Sequence, residues 1–539
     1  MAGNEARANH VVGRRAVLGA LAAGGAALLA GDGPALSPWR SLARSPDRYR
    51  IPRRSLLAAD DAASLIQLVI AAAHHDGAST VELPPGDPGE YLCRSPIETR
   101  GIRLAGDRTT LTVAADMRAL LTATGARGRA HRMRVDHRAG SSTLVVPGGL
   151  AAQVRPGDIV GVESRGIVTG PRTVGTSQEG LAGEYHRVVG RSGTTLDLDT
   201  PLAWDHLRDD SARAFRVTPV HQPVLEGMTV TATSPTELSC RAVLLRDSLH
   251  GVIDVDVGQA AGGIHVLNSL HARVRATVRS LPNRDDHRGY GVAISGASAH
   301  VQVDVSGGEC RHLFTTLADE REAPGGRREQ WGGPREVQVT GRGTGDSRSL
   351  AIWDTHPYGH RIRFERCEAI GGGREAPGFQ IRSVDTIIDR CSSTGSGDTA
   401  CKLQAGVARG TQVRDSVLES AGRHGLGLCE GAVVTRCVVR GNGAAGIVIV
   451  DDCSGAVVSE CEVVDNAFGI HDQSSGGNRG VVVQRCTIDR GERQEIGVLT
   501  PRGAMSITET AFRGYGSLAD AVREPGPAVR TTRSTLEQA

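Results

Sequence analysis

The sequence predicts an all-β fold, a right-handed parallel β-helix, from three observations. Short β-branched segments recur at intervals that cluster near 22–27 residues, and a period of 20–50 residues indicates a solenoid or an array. Each segment is too short to form a sheet alone, so stacked turns must supply its neighbours. No long helical pattern separates the segments, which excludes βαβ folds and leucine-rich horseshoes. We therefore expect about 11 stacked turns; a β-propeller is the alternative, but its blades need about 40–50 residues.

Two kinds of segment alternate from Val252 onward. The first kind includes Val433-Val-Thr-Arg and Val457-Val-Ser-Glu, and the second begins with glycine, as in Gly378-Phe-Gln-Ile and Gly446-Ile-Val-Ile. A turn with Gly or Asn lies between them. On each strand alternate residues point into the core and out to solvent. The pattern predicts three short parallel strands per turn from about residue 222 to 515.

The composition suits a core of small aliphatic side chains and argues against two classes of protein. The chain has 539 residues, of which 70 are glycine, with 3% aromatic residues and a net charge of +2. Such a small net charge argues against a nucleic-acid partner. Because the charges are interspersed and valine is frequent, wholesale disorder is not expected.

An export signal is expected at residues 1–37, followed by a linker at 38–58. The apolar run Ala16–Ala30 suits a signal-peptide core and is short for a membrane span, which needs about 20 residues. Arg14-Arg15 directly before the run resembles a twin-arginine signal, and an ordinary secretory signal is the alternative. We expect a secreted protein without membrane contact after signal removal.

The eleven cysteines are expected to fill the core rather than to form a full disulfide framework. Five of them recur at intervals of 24, 46, 24 and 25 residues: Cys367, Cys391, Cys437, Cys461 and Cys486. The interval of 46 residues spans two periods, and Asp415 is assigned to the position between Cys391 and Cys437 where the cysteine is missing. Cysteines that recur at a repeat period behave as small apolar fillers. With an odd count, at least one thiol must be free or bonded to another chain.

Residues 59–147 are interpreted as an N-terminal cap and the first turns. Asp60 and Asp61 can cap a helix with apolar positions from Leu65 to Ala73. The helix and the following Val81-Glu-Leu-Pro-Pro-Gly resemble the start of pectate-lyase-superfamily β-helices. The resemblance implies a helix that plugs the open end of the solenoid, whose edge otherwise invites aggregation.

Three later segments interrupt or end the period. Residues 148–221 alternate like antiparallel strands, so we expect a small β insertion that forms either one wall of a substrate cleft or a decoration. The β-helix then occupies residues 222–517, and residues 518–539 are interpreted as a loose tail. The loop 318–335 is interpreted as a solvated charged excursion, with a cover over the cleft as the alternative.

The second kind of strand places polar side chains on one outward face, here called the polar strip. Outward residues of successive turns stack about 4.8 Å apart. The strip runs through Asp354, His356, Gln380, Arg382, Lys402, Gln404 and His471. Lys402 is the only lysine of the chain, and its place in the strip favours a functional site there.

The motif Trp353-Asp354-Thr355-His356-Pro357, followed by Gly378-Phe-Gln-Ile-Arg382-Ser, resembles β-helical mannuronan C5-epimerases and related polysaccharide lyases. The sequence departs from the family at Thr355, where the family has Pro, and it lacks a histidine just before the Asp-x-His. The nearest upstream histidine candidate is His312. The resemblance implies an exported enzyme that abstracts the C5 proton of an acidic, uronate-containing polysaccharide, as a lyase or a C5-epimerase.

C5 proton abstraction needs a base, a cation for the carboxylate, and a group that handles the proton or the leaving oxygen. His356 is the candidate base, with Asp354 beside its ring. Arg382 or Lys402 is expected to neutralise the carboxylate, and Tyr358 to act on the other side. The remaining candidate substrate-binding residues are Arg311, His312, Trp353, Gln380, Gln404, His424 and His471.

Alternative functions stay open. A glycoside hydrolase on the same fold needs two carboxylates about 5–10 Å apart, and the strip offers only Asp354. A non-catalytic, tailspike-like glycan-binding solenoid would need aromatic platforms, which are scarce. No cofactor is expected; calcium at Asp451-Asp452 is the alternative, with two ligands named where a site needs six to eight.

Overall fold

The chain forms a parallel β-solenoid of about 17 turns. The computed structural model describes residues 43–45, 47–167, 180–260, 262–282, 289–322, 326, 328–450, 453–474, 479–500, 504–523 and 529–537. The expected export signal and the Asp451-Asp452 pair lie outside the described residues. The turns outnumber the 11 expected because segments before residue 222 and after residue 517 also join the stack.

One face of the solenoid is a 14-stranded parallel sheet, here called the site sheet. Consecutive strands pair in register, so equivalent residues of successive turns form columns. The strands are Ile97–Glu98, Ala119–Thr124, Arg241–Arg246, Gly262–Leu267, Tyr290–Ser295, His312–Leu317, Trp353–Asp354, Phe379–Ile381, Cys401–Leu403, Leu426–Leu428, Ala445–Ile449, Phe468–Asp472, Ile496–Leu499 and Val522–Arg523.

The remaining faces belong to a 25-stranded sheet, the outer sheet. The long strand His360–Gly371 pairs with both Ile387–Asp389 and Ser392–Thr394. Within the described residues after 222, turns of three strands therefore begin at Ile387. In the turns between residue 222 and Ile387, one long strand replaces two short ones. The outer sheet consists of Ala43–Ser45, Arg48–Arg50, Thr80–Leu83, Gly86–Cys93, Arg103–Val113, Val224–Ala232, Val252–Gly258, Arg273–Arg279, Gln302–Gly308, Arg335–Gly345, His360–Gly371, Ile387–Asp389, Ser392–Thr394, Gln412–Arg414, Val417–Glu419, Val433–Thr435, Val438–Arg440, Val457–Ser459, Glu462–Val464, Val481–Gln484, Thr487–Asp489, Met505–Thr508, Ala511–Arg513, Val529–Thr532 and Thr535–Glu537.

The five periodic cysteines are buried in one inward column, as predicted, and each is at most 2% exposed. All eleven cysteines are free thiols. Between Cys391 and Cys437, the column position without a cysteine is occupied by Ser416 rather than Asp415. The backbone N–H of Cys391 donates to Ser416 Oγ at 3.1 Å. Asp415 occupies the corner before it, with a φ of 51°, and its carboxylate pairs with Arg436 on the surface at 2.7 Å.

The predicted capping helix spans Ala62–His75. The side chain of Asp61 accepts a hydrogen bond from Ala63 N at 3.1 Å, which satisfies a free donor of the first turn. Ile66, Val69 and Ile70 are buried against the first turns, so the helix covers the apolar end of the core. The other helices of the described residues are Arg53–Leu57, Gly148–Ala151 and Leu518–Ala521.

The β insertion is a nine-stranded sheet, the insertion sheet. It begins at Ala126, earlier than the boundary at 148, because its first strands are short and polar. Its strands are Ala126–Arg127, His131–Arg132, Thr143–Val145, Ile159–Ile167, Gly180–Ser192, Thr195–Leu198, Arg213–Thr218, Asp319–Glu322 and Arg328–Trp331. The last two strands form a hairpin that leaves the solenoid and pairs with Gly180 and Leu181.

The C-terminal segment is not a loose tail. Val529–Thr532 pairs in parallel with Met505–Thr508, and Thr535–Glu537 pairs with Ala511–Arg513. The short strands Val220–His221 and Ser248–Leu249 also pair in parallel. At the N-terminal end, Arg48–Arg50 of the expected linker pairs with Thr80–Leu83. The ends of the described chain thus extend the same stack.

Candidate functional site

Asp354 is the centre of the predicted site. It ends the two-residue strand Trp353–Asp354, and Pro357, which lacks an N–H, cannot continue the strand. The Asp354 side chain is fully buried. Its carboxylate accepts from Arg382 Nη2 at 2.7 and 2.9 Å and from Thr315 Oγ1 at 2.7 Å. A buried carboxylate with this many donors is held in one orientation.

Two histidines approach the same carboxylate oxygen. His356 Nε2 lies 3.3 Å from Asp354 Oδ2, and His312 Nε2 lies 3.8 Å from it. Burial alone raises the pKa of Asp354, but the charges of Arg382, His312 and His356 outweigh burial and hold that pKa well below its usual range. Asp354 is therefore a carboxylate at neutral pH, as the predicted role beside His356 requires.

The two histidines differ in exposure. The His356 side chain is 20% exposed, whereas that of His312 is 4% exposed. Burial lowers the pKa of His312, and its Nδ1 donates to the carbonyl of Ala351 at 2.9 Å. His312 is therefore a buried neighbour of the Asp354 carboxylate, and His356 is the histidine that a ligand can reach.

Arg382 has a different role from the predicted one. Besides its bonds to Asp354, its Nε donates to Thr355 O at 2.9 Å and its backbone N donates to Thr355 Oγ1 at 2.8 Å. The side chain is 15% exposed. The guanidinium is thus engaged by the chain itself, and these contacts give no support to the expectation that Arg382 neutralises a substrate carboxylate.

His356 and Tyr358 lie at one end of a cleft of about 540 Å³. The cleft extends from them over the N-terminal strands of the site sheet. It is lined by Met117, Arg118, Ser239, Cys240, Arg241, Gly262, Gly263, Ile264, His265, Leu267, Gly289, Tyr290, Ala293, Leu317, Ala318, Asp319, Glu320, Arg328, Gln330, His356 and Tyr358. Its volume is within the range of ligand sites.

The hairpin Asp319–Glu322/Arg328–Trp331 forms one wall of this cleft. The described part of this loop therefore lines the cleft, which favours the alternative interpretation over that of a solvated excursion. Arg321 fixes the hairpin by pairing with Asp319 at 2.8 Å and with Glu163 of the insertion sheet at 2.7 Å. Arg127 also pairs with Glu163, at 3.4 Å. The insertion sheet thus holds the wall in place.

Two tyrosines belong to the cleft. The rings of His356 and Tyr358 are nearly parallel, with centroids 6.5 Å apart. Tyr290 stacks on His312 with centroids 5.5 Å apart, and the guanidinium carbon of Arg311 lies 5.8 Å from the centroid of the Tyr290 ring. Burial raises the pKa of Tyr290 and of Tyr358, so both hydroxyls are protonated donors at neutral pH.

The C-terminal half of the polar strip lies outside the cleft. Gln380 pairs in register with Asp354, and Lys402 pairs with Gln380, which places Lys402 about 10 Å from Asp354. Its ammonium pairs with Asp398 at 3.5 Å and is 47% exposed. His471 lies three strands further in the same column. The structure does not bring Lys402 to the Asp354 group, so its predicted catalytic role has no support in this geometry.

Three other predicted binding residues also take different places. Trp353 is fully buried and its Nε1 donates to Glu368 O at 3.1 Å, so it supports the strand from the core. His424 is buried, and its Nδ1 accepts from Ala445 N at 3.3 Å. Gln404 is half-buried at the end of its strand, where its backbone N donates to Ile381 O at 2.9 Å.

Sequence reasoning missed Tyr290, His265, Arg118, Arg241 and Thr315. His265 lies in the outward column of Asp354, three strands before it, so an alignment extended toward the N-terminus finds it. Within the described residues, no group of three or more His, Cys, Asp or Glu side chains is arranged to hold a metal ion.

The comparisons with known proteins agree with the fold. A family model described as right handed beta helix region matches residues 357–488. No curated protein matches the sequence. Among solved structures, the tailspike protein gp49 from Pseudomonas phage LKA1 has a TM-score of 0.59 and 16% identity, over 86% of this chain and 77% of that one.

Two further solved structures are similar. The Gp54 tailspike of Acinetobacter baumannii bacteriophage AP22, in complex with A. baumannii capsular saccharide, has a TM-score of 0.53 and 13% identity, over 90% of this chain and 77% of that one. The A-module of the Azotobacter vinelandii mannuronan C-5 epimerase AlgE4 has a TM-score of 0.41 and 14% identity, over 91% and 100%. Identities this low show the fold alone.

No helix in the described part of the chain has the length and apolarity needed to cross a membrane. The in-register parallel strands, the stacked inward columns and the family-model match lead to one conclusion about the fold. The chain is a right-handed parallel β-helix protein with a capping helix and a β insertion.

Proposed function

We propose that this chain is an enzyme that abstracts the C5 proton of a uronate unit in an acidic polysaccharide, as a lyase or a C5-epimerase. One observation carries the proposal. His356 is the ligand-accessible imidazole at the end of the cleft, and its Nε2 lies 3.3 Å from the buried carboxylate of Asp354.

His356 acts as the general base. Because Nε2 faces a carboxylate, that nitrogen carries the ring proton, and Nδ1 keeps the lone pair that accepts a proton. Nδ1 takes the proton from C5, and the electron pair of the broken C–H bond moves into the substrate carboxylate as an enolate. The charge of Asp354 then stabilises the imidazolium that forms.

Tyr358 acts as the general acid. Its hydroxyl is protonated at neutral pH, since burial raises its pKa. In a lyase, the enolate electrons form a C4–C5 double bond, the C4–O bond breaks, and Tyr358 protonates the leaving oxygen. In an epimerase, Tyr358 returns a proton to C5 from the opposite face.

The substrate carboxylate needs a cation other than Arg382. Arg328 is the candidate near the reacting end, because it lines the cleft and pairs with Glu320 at 2.8 Å. Glu320, Arg328 and Tyr358 line the same cleft. An arginine can bind a carboxylate with two parallel hydrogen bonds, and the charge gained in the enolate strengthens them.

A glycoside hydrolase is less well supported by the carboxyl groups. Its acid needs a raised pKa. The pKa of Asp354 and that of Asp319 are both lowered despite burial, by Arg382 for Asp354 and by Arg321 and Arg127 for Asp319. These two carboxyls are therefore bases of low strength and cannot donate a proton to a leaving sugar.

Incubation with polymannuronate, polygalacturonate and polyglucuronate in deuterated buffer tests the proposal. A lyase generates ultraviolet absorbance from the C4–C5 double bond, and an epimerase exchanges C5–H for deuterium without it. Tyr358→Phe should lower either activity strongly while the substrate still binds. New reducing ends without double bonds would support the hydrolase instead, and binding without any turnover would support a glycan-binding solenoid.

A further inference from the structure

A second groove lies on the insertion sheet, along the strand His131–Arg132. It is formed by residues 129–134 together with Pro147 and Arg208, and its volume is about 720 Å³. Within the described residues, this strand pairs on one side only, with Arg213–Thr218, so the groove follows an edge of the sheet. This groove, here called the basic groove, shares no residue with the cleft described above.

Four exposed arginines line the basic groove: Arg129, Arg132, Arg134 and Arg208. In the part of the chain that the structure describes, the side chains of Arg129, Arg132 and Arg134 form no hydrogen bond and no ion pair. Each guanidinium has five N–H donors, and those of these three arginines are therefore available to a ligand.

The carboxylates beside the basic groove contact Arg208 only from outside the lining. Asp209 pairs with Arg208 at 3.3 Å, and the two side chains are 87% and 59% exposed. Asp136 accepts a hydrogen bond from the backbone N of Arg208 at 2.7 Å. Because an exposed pair such as Arg208–Asp209 contributes little free energy, Arg208 can exchange its partner for an anion of a ligand.

The backbone beneath the arginines is fixed. Met133 is 1% exposed in the core of the insertion sheet, and its backbone N donates to Ala212 O at 2.8 Å. Arg132 and Arg134 flank this buried residue, and Arg132 lies in register with Arg213 of the neighbouring strand. A ligand of the groove therefore has to order side chains but no backbone, which keeps the entropic cost of binding low.

Several positive charges in one groove fit a ligand that carries several anionic groups. An arginine binds a planar carboxylate with two parallel hydrogen bonds. No aromatic side chain is among the described residues that line the groove, which argues against stacking of nucleic-acid bases. Its long apolar side chain, Met133, is buried and cannot insert into a membrane surface. A polysaccharide that carries carboxylates needs neither kind of contact.

We propose that the basic groove binds an anionic polysaccharide chain through Arg129, Arg132, Arg134 and Arg208, at a site separate from the cleft. The identity of the chain as a polyuronate rests on the proposed function. The insertion sheet thereby holds the protein on the polysaccharide and takes no part in turnover.

Calorimetric titration of the His356→Ala protein with a tetrauronate counts the binding sites without turnover. In the triple variant Arg129→Gln, Arg132→Gln and Arg134→Gln, we expect one tetrauronate fewer per protein. Loss of three charged contacts weakens the groove site by roughly 100-fold or more. The carboxyl-reduced, neutral tetrasaccharide should not bind the groove. The triple substitution with His356 intact should leave kcat on a short uronate substrate and the unfolding temperature unchanged.

The matched control is the triple variant Arg273→Gln, Arg275→Gln and Arg279→Gln. These three arginines are exposed on one strand of the outer sheet, and Arg275 lies in register between Asp254 and Asp304 of the neighbouring strands. The control removes the same number of positive charges and should leave the number of bound tetrauronates unchanged. Arg132→Gln alone should weaken the groove site about 10-fold.

An unchanged number of bound tetrauronates in the groove variant would overturn the proposal and assign the arginines to protection of the edge strand against pairing with other chains. Arginine-dependent binding to vesicles of phosphatidylglycerol without tetrauronate binding would overturn it as well. A fall from two bound tetrauronates to one supports the groove together with a uronate site in the cleft. A fall from one to none supports the groove and counts against the proposed function.

Discussion

Arg382 Nη2 donates to both carboxylate oxygens of Asp354, at 2.7 and 2.9 Å, where the aspartate side chain has no solvent exposure. This internal ion pair leaves His356 as the neighbour of Asp354 that faces the cleft. In the proposed mechanism the Asp354 carboxylate is therefore a positioning group. It acts through the orientation and charge of the imidazole next to it.

Asp354→Asn should destabilise the protein at neutral pH, because it removes the counter-ion of Arg382, whose side chain is only 15% exposed. Breaking a buried pair costs about 3–5 kcal/mol. The folded-state pKa of Asp354 is depressed, so its contribution is fully present above the unfolded pKa of about 4 and is lost as pH falls toward the folded value. Thermal unfolding at pH 7 and near pH 3 measures the difference between wild type and variant, which should shrink at the lower pH.

Asp385→Asn is the control for that measurement, since Asp385 is half exposed and pairs with His360 at 3.1 Å. It should change the unfolding temperature little. An Asp354→Asn variant as stable as wild type at pH 7 would show that the buried pair contributes nothing.

Lys402→Ala should raise KM by less than about 10-fold and leave kcat unchanged. Lys402 is two strand spacings from Asp354 and exposed, so it can bind a neighbouring sugar but not the reacting one. Lys402→Arg, which keeps the charge, should leave both parameters near wild type. A fall in kcat of about 100-fold in either variant would restore the catalytic role that the sequence predicted.

Glu163→Gln should loosen the hairpin wall of the cleft. Glu163 accepts from Arg321 at 2.7 Å, Arg213 at 3.2 Å and Arg127 at 3.4 Å, and its side chain is 5% exposed. Hydrogen exchange should become faster in Asp319–Glu322 and Arg328–Trp331 and stay unchanged in the outer sheet. Glu320→Gln, on an exposed pair, is the control. Unchanged exchange in the hairpin would mean that backbone pairing alone fixes the wall.

Arg14→Lys together with Arg15→Lys should trap the precursor in the cytoplasm, if the N-terminal motif is a twin-arginine signal. The reason is that such a signal is read by its arginine pair rather than by charge alone, whereas an ordinary secretory signal tolerates lysine. Fractionation with immunoblotting measures the location. Normal secretion of the double variant would assign the chain to the general secretory route.

The fold was predictable because each turn of the solenoid repeats the same short sequence pattern along the chain. Strands of alternating residues at a fixed interval require stacked turns, and the same alternation placed the five periodic cysteines inward. Asp415 was misplaced by one residue because a corner residue in the left-handed conformation shifts the alternation before Ser416. Nothing in the strand pattern alone marks such a corner.

The site was predictable only in part. Asp354 and His356, two positions apart at the end of one strand, lie together as expected. The wall of the cleft depends on pairing of Gly180 with Gln330, a contact between distant segments that no local pattern encodes. The ion pair of Arg382 could not be predicted either. Its partner Asp354 belongs to the preceding turn of the solenoid, and the local pattern around Arg382 does not identify that residue. The alternation of inward and outward residues assigned Trp353 to the core, where the structure places it.

The most direct test of the account is turnover of the responsive polyuronate by His356→Ala compared with His360→Ala. His360 is the matched histidine, four residues on and paired with Asp385 outside the cleft. We predict that His356→Ala lowers kcat roughly 10²- to 10⁴-fold, the usual contribution of a general base, with an unchanged unfolding temperature, and that His360→Ala stays near wild type. Full activity in a folded His356→Ala protein would contradict the account.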